Sequence, residues 1–258
     1  MRRALPWFGL LLLAICFLWL IEQPRPLPRG ATAPRRPLIA PEKKVVVVLD
    51  PGHGGQDSGA ICGDVLEKDL TLDVALRAEL LLRAAGFTTV LTRDDDRYVS
   101  LAERASVGNR EGNSLFVSIH FNDSPREAAS GVETYYSMRQ SSRPGFLWWL
   151  PFLDWTDSSP LAAESERLAS SLQAALVVGT NAFDRGIKVE QFYVLANVQR
   201  PAALIEGGFM TNKADVAKLA MAEYRSRIAT AIITGLERYR SAVRRGEPTL
   251  ALAAAHPE

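Results

Sequence analysis

Cysteine is nearly absent: Cys16 and Cys62 are the two in 258 residues. So few thiols exclude a disulfide-stapled scaffold and a cysteine-based zinc finger. Histidine is almost as scarce, with His53, His120 and His256. Any metal site in this chain must therefore borrow carboxylates. Excess charge is missing too, since 30 Lys+Arg meet 29 Asp+Glu for a net +1. That balance is uneven along the chain. Residues 1–42 hold six Arg and two Glu, a charge of +4, which leaves −3 on the rest. A mildly acidic body argues against a nucleic-acid partner, which calls for a basic patch. No internal repeat is visible. What the chain does have is apolar residues, 47% of the total, enough for a core and too many for a disordered segment.

The head is distinct from the body. Arg2 and Arg3 precede an apolar run from Leu5 to Ile21. The run is long for a signal-peptide core and short for a spanning helix, which needs about 20 residues. Pro24, Pro26, Pro28, Pro34, Pro37 and Pro41 follow, mixed with Arg, and read as an extended spacer. The one Ala-x-Ala cleavage candidate, Ala31-Thr32-Ala33, is followed directly by Pro34. The expectation is export on an uncleaved anchor, with membrane contact through residues 5–21, cleavage being the alternative. The body then works at the periplasmic or cell-wall face.

The body alternates strands and helices. Val45–Leu49 is a β-branched run stopped by Asp50-Pro51-Gly52. A helix is expected from about Leu66 to Ala85, with Leu70, Val74, Ala78, Leu81, Leu82 and Ala85 on one face and Gly86 ending it. Phe87–Thr92 is a strand. A helix from Leu101 to about Arg110 carries a capping box, Ser100 with Glu103. Leu115–Ile119 and Val132–Tyr136 are strands, and about Leu161–Val177 is helical. Phe192–Leu195 and Ala202–Ile205 are read as strands. A last helix runs from about Asp215 to Tyr239, with Ile228, Ala231, Ile232, Leu236 and Tyr239 inward. The expected fold is α/β, a single layered domain with a mostly parallel twisted sheet flanked by helices.

Chemistry-bearing residues gather at one place in this scheme. His53 follows the first strand and His120 closes the third. Glu67 opens the helix after the first strand. In open α/β sheets functional groups collect at the carboxyl ends of strands. His, Glu and His are a sensible set for one Zn²⁺ with a fourth position left open. Glu206 ends the strand Ala202–Ile205, before Gly207-Gly208. A charge at the end of a buried apolar strand is costly unless it is paired or functional, and beside activated water it serves as a general base. Each residue also has a plainer role: His53 as a turn residue, Glu67 capping its helix with Asp64, His120 as a satisfied histidine, Glu206 as an ion-pair partner.

The segments Asp50-Pro51-Gly52-His53-Gly54-Gly55, Ser118-Ile119-His120-Phe121-Asn122 and Pro201-Ala202-Ala203-Leu204-Ile205-Glu206-Gly207-Gly208-Phe209-Met210-Thr211-Asn212, with Glu67 between the first two, closely resemble the zinc-dependent N-acetylmuramoyl-L-alanine amidases of the cell-wall amidase type 3 family. Arg185-Gly186-Ile187-Lys188 and Phe192-Tyr193-Val194-Leu195 look like family segments too. The resemblance covers about residues 43–240. It departs from the family pattern at Gly207 and at Gly108-Asn109, neither touching a proposed ligand. It implies zinc held by His53, Glu67 and His120, Glu206 as the catalytic carboxylate, and peptidoglycan as substrate, cut between the lactyl group and L-alanine. The chain then divides into an anchor and linker at 1–42, a catalytic domain at 43–241 and a flexible tail at 242–258.

Other candidates are weaker. Trp148, Trp149 and Trp155, with Phe146 and Phe152, make residues 144–155 an aromatic-rich insert. It reads as a local packing cluster first, and as a lid or a membrane-facing surface at 146–155 second. The resemblance adds a protein activator as a candidate partner, with Asp154 or Asp157 as blocking carboxylates. Cys62 reads as a loop or core thiol, His256 as a solvated tail residue, Arg104 as an ion-pair partner and Asp94-Asp95-Asp96 as a solvated turn. Arg185 is a candidate for orienting peptidoglycan carboxylates. Two other functions stay open: a zinc peptidase cutting within the stem peptide, and an inactive wall-binding module.

Overall fold

The computed structural model describes residues 45–138 and 160–246. The expected anchor and linker at 1–42, the aromatic-rich insert at 144–155 and His256 lie outside the described residues. Among the described residues no helix is long and apolar enough to cross a membrane.

Six strands form one sheet. They are β1 (Val46–Pro51), β4 (Thr88–Leu91), β5 (Ser114–Asn122), β6 (Val132–Tyr136), β7 (Asp184–Val189) and β8 (Ala202–Phe209), in spatial order β4-β1-β5-β8-β6-β7. Every neighbouring pair is parallel except β6 with β8. The unbroken apolar runs of β1, β5 and β8 explain their central places, because a strand covered on both faces needs no polar alternation. A small hairpin, β2 (Ile61–Cys62) with β3 (Val65–Leu66), stands apart and leads into the first helix.

Helices cover both faces. Helices α1 (Glu67–Ala84), α3 (Pro160–Thr180) and α6 (Ala222–Arg245) bury Val74, Ala78, Leu82, Leu168, Leu172, Ile228 and Leu236 against Val47, Leu49, Val117 and Ile205. Helices α2 (Leu101–Arg110) and α4 (Tyr193–Asn197) close a smaller core over Val48, Phe116 and Leu204. Helix α5 (Lys213–Leu219) follows β8. The alternation of side chains along a strand puts His120 on the same face as Phe116, and Glu206 on that of Ala202 and Leu204. The capping box of α2 is present in full, Ser100 and Glu103 bonding each other's backbone N–H. Gly86 takes a positive φ of 83° just after α1, as its terminating position requires.

Several expectations are corrected. Phe192–Leu195 is not a strand; Tyr193–Asn197 is a short helix. The Phe, Tyr and Val side chains favour a strand locally, but Asn109 bonds the Asn197 carbonyl and the Gln199 N–H and holds the turn against α2. The last helix is two, broken at Ala220–Met221, and the second runs to Arg245, past the expected end at Tyr239. Leu81 points outward, 41% exposed. Both β5 and β8 extend further, so His120 and Glu206 lie inside their strands rather than at the last residue. Strand β7 carries no strand signal in the sequence, because Asp184, Arg185 and Lys188 are charged and Gly186 interrupts it.

Candidate metal centre

The turn after β1 carries His53 in a left-handed conformation, φ 61°. A residue with a Cβ pays about 1–2 kcal/mol for that conformation, so something must hold it. Two buried arginines do. Arg104 donates to the carbonyls of Pro51 (2.6 Å) and His53 (2.5 Å). Arg93, fully buried, donates to the carbonyls of Pro51, Gly52, Asp95 and Lys68. Asp50, inside β1, neutralises Arg104 at 2.7 Å and accepts from Thr92 and Ser118. The ion-pair role expected of Arg104 is therefore observed, and the pair holds the turn carbonyls in place.

Glu67 is the first residue of α1 and is buried. The N-cap is Leu66 with no side-chain cap bond, so the reciprocal Asp64–Glu67 capping alternative is wrong. Glu67 turns inward instead. Its Oε1 lies 3.1 Å from Nε2 of His53 and 3.1 Å from Nδ1 of His120, and accepts from the Phe121 N–H at 3.0 Å. Its Oε2 accepts from the Ala60 N–H at 2.9 Å. Burial alone pushes this carboxyl up, yet the hydrogen bonds and charges of the two histidines outweigh it and hold it below its ordinary range. One ligand atom from each of His53, Glu67 and His120 can be chosen so that all lie within 4.8 Å of one another. The imidazole rings stand edge-on, centroids 4.9 Å apart.

Glycine makes the close approach feasible. A Cβ at Gly52 would sit 2.4 Å from Nε2 of His120. One at Gly59 would sit 2.5 Å from Oε2 of Glu67 and 2.7 Å from the His53 ring. The other nitrogen of His53, Nδ1, is 2.9 Å from Oδ2 of Asp57, which in turn accepts from the Gly59 N–H. A carboxylate behind an imidazole fixes its tautomer and turns the opposite nitrogen toward a ligand. Burial lowers the His53 pKa, but Glu67 and Asp57 together raise it above its ordinary value. Two imidazole nitrogens and a carboxylate oxygen converging in this way fit a Zn²⁺ ion with an open position.

Glu206 sits on β8 directly across from His120 on β5. It is buried, and its Oε2 has no hydrogen-bond partner among the described residues. Burial pushes its pKa well up; the charges of Glu67 and Glu133 add to that, and Lys188 opposes it. It is thus a carboxyl group with a high proton affinity across from His120.

Several groups around the site escaped sequence reasoning. Glu133 on β6 lies across from Glu206. It accepts from Asn122 (2.6 Å) and Tyr135 (2.5 Å) on one oxygen, and from Arg185 (2.7 Å) and Lys188 (2.5 Å) on the other. Burial alone pushes it up, but Lys188, Tyr135 and Arg185 prevail and hold it below its ordinary range. An acidic residue within an apolar strand was its one signal in the sequence. Asp57 had none beyond its distance from His53. Within the Asp94-Asp95-Asp96 turn, Asp96 is not merely solvated: it accepts from Lys68 and the Gly55 N–H. Cys62 is a free, half-buried thiol in β2.

Comparison with known proteins adds to this geometry. A family model described as N-acetylmuramoyl-L-alanine amidase matches residues 47–238. The chain is 37% identical over 193 residues to the N-acetylmuramoyl-L-alanine amidase LytC of Bacillus subtilis strain 168, covering 75% of this chain and 35% of LytC. The chain thus spans about a third of that relative. A crystal structure of an N-acetylmuramoyl-L-alanine amidase from Clostridium difficile 630 is similar at a TM-score of 0.66 and 30% identity, covering 78% of this chain and 99% of that one. The CwlD amidase of Clostridioides difficile, solved in complex with the GerS lipoprotein, is similar at a TM-score of 0.64 and 26% identity, covering 76% of this chain and 98% of that one.

Proposed function

The chain belongs to the N-acetylmuramoyl-L-alanine amidase family, and we propose that it acts as a zinc enzyme of that kind, with His53, Glu67 and His120 holding one ion and Glu206 as the general base. It hydrolyses the amide between N-acetylmuramic acid and L-alanine in peptidoglycan. The observation that carries the residue assignment is the meeting of two imidazoles and a buried carboxylate oxygen at 3.1 Å, with Glu206 opposite His120.

A bound zinc ion supplies a Lewis acid and lowers the pKa of water toward neutrality. The chain's own groups do the rest. Asp57 orients His53, and the Phe121 and Ala60 N–H groups orient Glu67. Glu206 takes the proton of the attacking water, then returns it to the nitrogen of the departing L-alanine. Its burial and its free oxygen suit it to holding that proton between the two steps.

Work at the cell wall follows from the substrate. Anchoring through residues 5–21, contact of residues 146–155 with a membrane, and a protein activator remain parts of this proposal. The complex of the CwlD amidase with a lipoprotein supports the last.

The test is a set of variants assayed on purified sacculi with zinc content measured alongside. Glu206→Gln is expected to keep its zinc and lose about 10²–10⁴-fold in turnover, the range for general acid–base groups. His53→Ala and His120→Ala are expected to lose the metal. Full turnover in Glu206→Gln, or full zinc occupancy in a histidine variant, removes that residue from its role.

A further inference from the structure

Arg185 and Lys188 are three residues apart on β7, and in a regular strand they would point to opposite faces. They do not. The pairing of β6 with β7 steps from Val132↔Asp184 to Thr134↔Ile187, so β7 carries one extra residue there. Gly186 in this stretch has φ 76°. Such a bulge re-aims the side chains around it. Both cations reach the same oxygen of Glu133, Arg185 through Nε at 2.7 Å and Lys188 through Nζ at 2.5 Å.

Glu133 accounts for one positive charge and Lys188 also acts on Glu206, which leaves Arg185 with donors to spare. Only Nε of Arg185 is engaged with Glu133; the terminal guanidinium nitrogens make no hydrogen bond among the described residues. The Arg185 guanidinium lies over the Phe209 ring, 4.9 Å from its centroid, and Lys188 lies 5.6 Å from the centroid of the Tyr135 ring. Both side chains are half-buried, 30% and 38% exposed. The result is a pinned pair of cations with spare donors at the site edge.

Its distance from the chemistry is set by the sheet. Glu206 is on β8, Glu133 on the next strand and the cations on the strand beyond. At about 4.8 Å per strand the β7 backbone is roughly 10 Å from Glu206, and the two cationic heads reach back from it to the Glu133 carboxylate, one strand from Glu206. Two extended peptide residues cover about 7 Å. Reach and charge therefore match an acidic group on the second residue of the stem peptide. Building on the amidase reading, we infer that Arg185 and Lys188, held together by Glu133, form a subsite for the carboxylate of the stem residue that follows the departing L-alanine.

Two soluble N-acetylmuramoyl peptides test this, identical except for a carboxylate or a carboxamide on the second stem residue. The readout is the ratio of their kcat/KM values with the zinc-loaded full chain. A charge-assisted contact predicts about a tenfold preference for the carboxylate. In Lys188→Met and Arg185→Met that ratio falls toward one, and Lys188→Arg restores it. The ratio is insensitive to a general loss of active protein. A wild-type ratio near one overturns the inference without any variant, as does a preference that survives both Met substitutions. Turnover of neither peptide by the wild type overturns the amidase reading itself.

Discussion

Glu206 combines two demands on one side chain: enough burial to raise its proton affinity, and a place across from His120. The raised pKa has a consequence for stability in the zinc-free protein. The unfolded carboxyl ionises near its ordinary value of 4.5, while the folded one keeps its proton to higher pH. The unfolded state alone gives up a proton as pH rises past 4.5, so this group makes the fold less stable until the folded pKa is passed. Glu206→Gln cannot ionise and escapes that loss. Urea unfolding of zinc-free protein is expected to show little difference between wild type and Glu206→Gln at pH 4. At pH 7 the variant is expected to be the more stable of the two. An equal gap at both pH values contradicts the raised pKa. At this scale the sequence was informative where residue type is rare. With three histidines in the chain, two at strand ends stood out. Glu133 and Asp57 did not, because an acidic residue is common and its partners, Lys188 and His53 among them, become visible only when the chain is folded.

Elements were legible in proportion to their burial. The runs of β1, β5 and β8, and the capping box of α2, carry their own signals. Strand β7 lacked one: it is an edge strand whose ends are exposed and whose interior holds Gly186. Helix α4 was misread because tertiary packing against α2 overrode β-favouring side chains, and the break at Ala220–Met221 has neither Pro nor Gly to announce it. Helix packing also yields a prediction whose sign discriminates. Gly235 of α6 faces the backbone of α3, and a Cβ there would meet Cα of Leu172 at 2.8 Å. Helix propensity alone makes Gly→Ala stabilising by about 1 kcal/mol. Overpacking costs about 1–3 kcal/mol. Backbone contact leaves no flexible side chain to yield, so Gly235→Ala is expected to lower the unfolding midpoint. A raised midpoint contradicts the close α3–α6 packing.

At the scale of the whole molecule, the sheet acts as a ruler. Consecutive strands β5, β8 and β6 set His120, Glu206 and Glu133 in a row, and β7 adds the two cations. The turn after β1 and the start of α1 bring His53 and Glu67 to one end of that row. Three distant chain segments therefore meet at one point, and a metal ion held there would link them. The class of fold was readable from the alternation of elements, and the family from short segments around the histidines and Glu206. Of the cationic end of the row the sequence singled out Arg185; its meeting with Lys188 on Glu133 depends on a one-residue bulge that no local pattern reveals. The most direct measurement for the whole account is digestion of purified sacculi with and without a chelator, followed by mass spectrometry of the products. A zinc amidase releases intact stem peptides with a free L-alanine amino terminus, stops when the metal is removed and resumes when zinc is returned. Products cut within the stem peptide, or release that ignores the chelator, would contradict it.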